Sequence, residues 1–179
     1  MDYLGKMPLI YEPAEDSELI LEVLKERIKN KSFEIFEVGV GSGYVLEGLR
    51  KYGFTNLSGC DKNPEAVNIC KSKNLNVFFS NLFSKVENKF DVIFFNPPYL
   101  PENDLEDSES KISTTGGKKG SEILNKFLKE VENYLTPNGR VFVLTSSLTK
   151  GIKWPESRKT IVGRKKLFFE ELFVWELAI

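Results

Sequence analysis

Residues 32–43 read SFEIFEVGVGSG. The run 33–38 is apolar apart from two glutamates and reads as a first β-strand. Glycines follow at 39, 41 and 43, and residues 44–52 read as a helix. Strand, glycine turn and helix in that order begin an α/β unit. Glycines at such a turn allow a tight bend and let a ligand approach the backbone closely. The spacing is G-x-G-x-G. It differs from the G-x-G-x-x-G of dinucleotide binders and lacks the Gly-Lys-Ser/Thr of a phosphate loop. Taken alone, it also suits a plain strand-to-helix turn.

The pattern continues on both sides. Upstream, Leu19, Ile20, Val23, Leu24 and Ile28 recur on one face, predicting a helix over 14–30. Pro13 fits its start, where a missing N–H is harmless, and Glu15, Asp16 and Glu18 suit the positive end of its dipole. Downstream, 57–60 reads as a strand ending at Asp61. Asn63 and Pro64 cap and open a helix to about residue 73. Further strands are predicted at 76–80 and 90–95, then a polar loop over 101–119. A helix over 120–135 carries Ile123, Leu124, Phe127, Leu128, Val131 and Leu135 on one face, followed by a turn at 137–139 and a strand at 140–145. Two last strands fall at roughly 160–166 and 172–178. Strands alternating with helices imply a mostly parallel sheet covered on both faces. Ligands in such sheets bind at the carboxyl ends of the strands. That rule collects the 39–43 turn, Asp61, Asn81 and Asn96 at one edge.

Two of these features point to chemistry. Asp61 lies about 20 residues beyond the glycine turn, where a carboxylate can accept hydrogen bonds from two ribose hydroxyls. A helix-capping role is the plainer reading, but Asn63 already supplies a better cap. Asn96-Pro97-Pro98-Tyr99 closes the apolar run of the fourth strand. The prolines fix φ, remove two donors and hold the residues before them extended. The carbonyls of Asn96 and Pro97 therefore stand rigid beside the Asn96 side-chain carbonyl, with few N–H groups to occupy them. Acceptors without a positive charge, next to the flat ring of Tyr99, suit a planar –NH2 group. A strand-ending turn is the simpler alternative.

Composition sets outer bounds. The 179 residues are 41% hydrophobic and 28% charged, with a net charge of -1 and a pI near 5.8. This is a globular composition of one-domain size, and its charge argues against a stand-alone nucleic-acid binder. There is no histidine, so Ser-His and His-metal chemistry are excluded. Two cysteines, Cys60 and Cys70, make no disulfide framework. The chain shows no signal-peptide pattern and no long apolar run, which predicts a soluble, cytoplasmic protein.

The layout resembles S-adenosylmethionine-dependent methyltransferases that act on planar nitrogens. It is closest to the HemK-type release-factor glutamine methyltransferases of the short archaeal and eukaryotic branch. Residues 11–17 (YEPAEDS), 96–101 (NPPYLP) and 115–120 (TGGKKG) carry that match. Bacterial members hold an extra N-terminal helical domain, for which ten residues before YEPAEDS leave no room. The resemblance implies a class I, Rossmann-like methyltransferase fold: an α/β, mostly parallel seven-stranded sheet with a C-terminal antiparallel hairpin. It implies one domain over residues 1–179, with S-adenosylmethionine as cofactor and no metal. Glu37, Gly39, Gly41 and Ser17 would meet the cofactor's amino-acid end. Asp61 would hold the ribose, and Asn81 and Leu82 the adenine. Asn96 would border the cofactor and, with Pro97 and Tyr99, would hold the acceptor amide. Family members commonly carry Asp at position 81, so Asn81 implies a modestly weaker grip.

The expected reaction is direct methyl transfer to a glutamine side-chain amide, in a release factor. Preorganised acceptors, rather than a general base, would stabilise the charge developing on nitrogen. Loop 101–119 would gate the substrate. A small zinc-binding activator protein is implied as partner, adding strands at the third-strand edge near 77–79; a plain buried strand explains that stretch equally well. The basic residues Arg158, Lys159, Arg164, Lys165 and Lys166 read as a solvated hairpin face sooner than an RNA contact. The alternatives are a nucleobase amine methyltransferase, which would need target-recognition segments this chain lacks, a non-catalytic scaffold of the same fold, and protein lysine methylation.

Overall fold

The computed structural model describes residues 14–100 and 117–178. In chain order the elements are α1 (Glu15–Arg27), β1 (Ile35–Val38), α2 (Tyr44–Lys51), β2 (Leu57–Asp61), α3 (Pro64–Ser72), β3 (Val77–Phe79) and β4 (Phe90–Phe95). Then come α4 (Glu122–Glu130), a 3-10 turn (Val131–Tyr134), β5 (Leu135–Ser146), β6 (Arg158–Lys166) and β7 (Glu171–Ala178). The seven strands form one sheet in the order β3-β2-β1-β4-β5-β7-β6. Pairings are parallel from β3 through β5, and β7 runs antiparallel to both β5 and β6. This is the predicted class I methyltransferase architecture.

Both sheet faces are covered, and β4 shows how. Val92 and Phe94 join Ile35, Phe142 and Leu144 under α1 and α2. Ile93 and Phe95 join Phe36, Val141 and Val143 under α4. Every second side chain enters a different core, so the whole strand must be apolar. On the α4 side, Phe127 lies 5.0 Å from Phe95 and 5.4 Å from Phe83, and Phe83 stacks on Tyr134 at 4.4 Å.

The expected helices form where local chemistry supports them. Asn63 accepts a hydrogen bond from Glu65 N at 3.0 Å, and Pro64 takes the first helical position of α3. Helix α1 stops three residues short of the predicted end, because Ile28 is already extended. Pro13 lies outside the described residues.

The predicted helix 120–135 requires correction. Gly120 has φ +79, so helix α4 begins only at Glu122. Its last turn tightens to 3-10 and passes straight into β5. Pro137 explains the exit, because the residue before a proline avoids the helical region. The turn at 137–139 survives as an outpocketing within β5. There Asp91 alone faces residues 136–139, Asn138 has φ +67, and Thr136 Oγ1 donates to Asp91 Oδ1 at 2.7 Å. Proline has no N–H to lose from the ladder at such a bulge. Most of the predicted gating loop, 101–116, lies outside the described residues. The short stretch from residue 117 to α4 is held by the Glu122 carboxylate, which accepts from Lys119 N and Ser121 N.

The basic C-terminal residues are largely engaged within the chain. Lys165 pairs with Glu18 at 3.3 Å, Arg164 lies 5.6 Å over Phe173, and Lys159 lies 6.0 Å over Trp154. Glu176 on β7 binds both Arg27 of α1 and Arg140 of β5, at 2.6 and 3.0 Å, tying α1 to the sheet.

Gly43 ends the glycine turn with φ +79, and an added Cβ would lie 2.6 Å from Leu75 Cδ1 and 2.9 Å from Cys70 Sγ. Gly53 has φ +97 but open space around its missing Cβ. Gly43→Ala therefore meets both backbone strain and overpacking and should cost about 3 kcal/mol, whereas Gly53→Ala meets strain alone and should cost about 1 kcal/mol. Urea unfolding of the two variants compares them; equal losses would show that the Gly43 contact is easily relaxed.

Candidate active site

The strand order reverses between β1 and β4, and the crevice outside that reversal is where such sheets bind ligands. The pairing of Val38 with Phe95 sets the ends of these strands side by side. The glycine turn leaves β1 there and the Asn96-Pro97-Pro98-Tyr99 turn leaves β4. A cavity of about 650 Å3 opens between them, lined by Ser17, Glu37, Gly39, Gly41, Asp61, Asn81, Leu82, Asn96, Pro97 and Tyr99, among others. Every residue singled out from the sequence as a site candidate reaches this one cavity. Its volume falls in the usual range for small-molecule sites, about 300–1,000 Å3.

One end is built around three anchored groups. Asp61 Oδ2 accepts from Gly41 N at 2.9 Å and its Oδ1 accepts from Asn63 N at 2.8 Å. The turn and the helix start thus hold the carboxylate rigid while lone pairs remain on both oxygens. Gly41 has φ +51, and an added Cβ would meet nothing within 4 Å, so the backbone faces open cavity. Glu37 is 3% exposed, and its Oε2 has no hydrogen-bond partner among the described residues. Burial raises the Glu37 carboxyl well above its ordinary range; the Asp61 charge adds to this, and a bond from the Leu46 backbone opposes it. An unpaired carboxylate oxygen on a buried residue that lines a cavity suits a cation that the described residues do not supply.

The adenine-side candidates lie on the turn after β3. Ser80 Oγ donates to Leu82 O at 2.8 Å and accepts from Lys85 N at 3.1 Å. These bonds hold Leu82 at φ +49. Asn81 is exposed, and its backbone N–H donates to Ser84 Oγ at 3.2 Å.

The other end is the acceptor turn. Asn96 Nδ2 donates to Asp16 Oδ2 at 3.1 Å, and Tyr99 OH donates to the same oxygen at 3.4 Å. Only the –NH2 side of an amide can donate to a carboxylate, so Asp16 decides which way Asn96 points. Asn96 Oδ1 is left buried with no partner among the described residues. No donor among them reaches the Pro97 carbonyl either. Two adjacent residues that line the cavity thus each carry an acceptor without a partner among the described residues. Burial, and then the Asp16 charge, raise the Tyr99 hydroxyl above its ordinary value, so it stays neutral.

Sequence reasoning read Asp16 as an acid in the first helical turn and as part of the 11–17 stretch, with no role of its own at the site. Its signal was the buried position: it is 3% exposed in a helix whose other early acids face out. Ser17, beside it, is buried and lines the cavity as expected. Lys126 and Glu130 of α4 also line the cavity and were not anticipated. The two cysteines offer no nucleophile: burial pushes the Cys60 thiol up to about 12 and the Cys70 thiol up to about 11.

Fold and site together define a methyltransferase of the α/β class. The chain belongs to the methyltransferase small domain family, whose model matches residues 13–154. It is 42% identical to a Methanocaldococcus jannaschii protein that carries the provisional name of protein N5-glutamine methyltransferase, covering 95% of this chain and 93% of that one. It is 31% identical to human methyltransferase HEMK2, covering 79% of this chain and 73% of that one. Among solved structures it superposes on the E. cuniculi Mtq2-Trm112 complex, described as responsible for methylating the translation termination factor eRF1. That match has a TM-score of 0.74 and 22% identity, and covers 94% of this chain and 98% of that one. The methyl donor of this enzyme class is S-adenosylmethionine. The residues present fit it: Glu37 offers an unpaired carboxylate oxygen to an ammonium, Gly41 leaves room above the turn, and Asp61 presents anchored lone pairs.

Because its folded pKa is raised, Glu37 begins to lower stability as pH rises past the ordinary carboxyl value; the penalty is full above the folded pKa and vanishes only below the ordinary value. Glu37→Gln should therefore raise the melting temperature of the unliganded protein near neutral pH, by about 2–4 °C for each kcal/mol recovered. The same variant should weaken S-adenosylmethionine binding at least tenfold, as expected for a lost charge-assisted bond. Calorimetric melting and titration check the pair; a lower melting temperature would show that the charge is already compensated.

Proposed function

We propose that the protein transfers a methyl group from S-adenosylmethionine to the side-chain amide nitrogen of a glutamine, in a peptide chain release factor. The observation that carries this reading is the pair of acceptors without a partner among the described residues, Asn96 Oδ1 and the Pro97 carbonyl, with Asn96 oriented by Asp16. The names of the relatives support the substrate: protein N5-glutamine for one, and eRF1 for the Mtq2 structure.

When bound, S-adenosylmethionine supplies a methyl group on a positively charged sulfur. Glu37 and Ser17 hold the amino-acid end of the cofactor with the turn at Gly39 and Gly41. Asp61 binds the ribose, and Asn81 and Leu82 border the adenine. A glutamine –NH2 donates one hydrogen to Asn96 Oδ1 and the other to the Pro97 carbonyl, and Tyr99 packs on the amide plane. The acceptors fix the nitrogen and stabilise the positive charge that grows on it as it becomes alkylated. The nitrogen loses its proton afterwards, so no group must first act as a base. Asp16 is a positioning residue: it touches neither reactant and acts through Asn96 and Tyr99.

A small activator protein fits the edge of the sheet. Strand β3 is an edge strand, and Phe79 on it is 45% exposed. The Mtq2 structure is of a complex with Trm112. A partner that adds a strand at β3 would satisfy its free backbone groups and cover Phe79.

Radiolabelled methyl transfer to a release factor tests the reading, with its Gly-Gly-Gln changed to Gly-Gly-Ala as control and RNA and DNA in parallel. Label should enter the protein only when the glutamine is present. Asn96→Ala should lower kcat by about 10²–10³ with cofactor binding kept. Asp16→Asn should lower kcat on the order of 10–100-fold, again with cofactor affinity kept, because the carbonyl of Asn96 is no longer held in place. Near-full turnover by Asn96→Ala would overturn the mechanism.

A further inference from the structure

Five large hydrophobic side chains are notably exposed among the described residues, and three of them share one rim: Leu148 at 39%, Phe168 at 92% and Phe169 at 85%. Phe168 and Phe169 form the turn between β6 and β7, their rings edge to face at 4.6 Å. Leu148 follows the end of β5. Ser146, the last residue of β5, pairs with Leu172, and Ser147 N donates to Glu171 O at 2.8 Å, so both segments leave the sheet at the same end. That end is the carboxyl end of β5, the edge where the cavity opens.

The rim is bonded to the acceptor turn. Thr149 Oγ1 donates to the carbonyl of Tyr99 at 3.0 Å and accepts from Ser146 N at 3.2 Å. Ser146 Oγ donates to Glu170, and Leu148 N donates to Ser146 Oγ at 3.0 Å. Leu167 N donates to Glu170 O at 2.8 Å, closing the turn that carries the two phenylalanines. Leu167 itself packs against the core. The turn is thus held from behind, with its two largest side chains facing water. Aromatic side chains presented on a rigid frame are the typical anchors of protein interfaces.

We propose that Leu148, Phe168 and Phe169 form a docking rim for the folded protein substrate, gripping apolar surface beside the target glutamine while Asn96 and Tyr99 hold the amide. The inference rests on the protein-glutamine reading above. A protein suits this rim better than an anionic membrane does, because the charges flanking the phenylalanines are mixed and largely engaged: Lys165 pairs with Glu18, Lys166 stands opposite Glu171, and Glu170 accepts from Ser146. A rim bonded to the Tyr99 carbonyl also sets substrate grip at a fixed offset from the reacting nitrogen. Affinity gained there acts on a folded acceptor and not on a short peptide.

The test is the double variant Phe168→Ser/Phe169→Ser, with Leu148→Ser as a second, separate change. Both sit at exposed positions, and circular dichroism and S-adenosylmethionine binding should match the wild type. With a folded release factor, KM should rise at least tenfold for the double variant, about 1.4 kcal/mol. Its kcat, and its turnover of a short Gly-Gly-Gln peptide, should stay within about twofold, since neither phenylalanine lines the cavity where the methyl group is transferred. An unchanged KM for the folded protein would overturn the rim while leaving the glutamine reading intact. A wild type inert on every release factor would bring down that reading and the rim with it. Vesicle binding, or dimer formation, that the double variant abolishes would assign the aromatic pair elsewhere and also overturn the proposal.

Discussion

The pairing of β1 with β4 is the constraint on which the site depends. These strands are joined through most of the first half of the chain, yet they lie side by side and parallel, with Val38 opposite Phe95. That register sets the last apolar residue of one strand beside the last apolar residue of the other. The glycine turn and the Asn96-Pro97-Pro98-Tyr99 turn therefore begin at the same height. A slip of one residue would exchange the faces of β4, sending Ile93 and Phe95 into the core that Val92 and Phe94 fill. The large side chains in both cores exclude that slip, so packing deep in the sheet fixes geometry at its edge.

The site is also a concentration of unbalanced polarity. Glu37, Asp61 and Asp16 are all buried along one cavity. Each has a different relation to its surroundings. Asp61 is held by backbone N–H groups, Asp16 accepts from Asn96 and Tyr99, and Glu37 keeps one oxygen without a partner among the described residues. The first two are structural uses of charge that leave a defined shape behind. The third is a cost carried by the unliganded protein, and on the proposed reading a bound ammonium would remove it. Binding of the cofactor is then coupled to stability, because the folded state is relieved of a desolvation cost that the unfolded state never carries.

Much of this was legible in the sequence, for identifiable reasons. The strands of the parallel half announce themselves as short apolar runs because double burial leaves them no polar face. The glycine turn and the Asn-Pro-Pro-Tyr turn announce themselves because few residue types can take those backbone shapes. Asp16 was hidden, because an acid in the first turn of a helix has a sufficient local explanation and its partner lies 80 positions away. The 3-10 turn at Val131–Tyr134 was hidden too. Helical periodicity runs through it, and only Pro137 beyond it limits how far the helix can go. The exposed phenylalanines at 168 and 169 could not be told from core residues by type; their exposure comes from their place at a hairpin turn.

The same geometry bears on which nitrogen the site accepts. A carboxylate behind Asn96 draws on its –NH2 group and makes its carbonyl oxygen a stronger acceptor. Such an oxygen favours any group that arrives with N–H bonds and gains positive charge. For a lysine this has an adverse side. The negative potential of Asp16, together with the Asn96 and Pro97 carbonyls, stabilises the ammonium form, whose nitrogen has no lone pair to give. Neither a histidine, which the chain does not hold, nor the Tyr99 hydroxyl, which is neutral and already donates to Asp16, can take that proton. An amide arrives uncharged and needs no prior deprotonation. On the proposed reading the acceptors would act on it mainly as charge develops, which is when stabilisation accelerates transfer instead of merely tightening binding. The arrangement that would hold a lysine unreactive is therefore the one that would favour transfer to a glutamine.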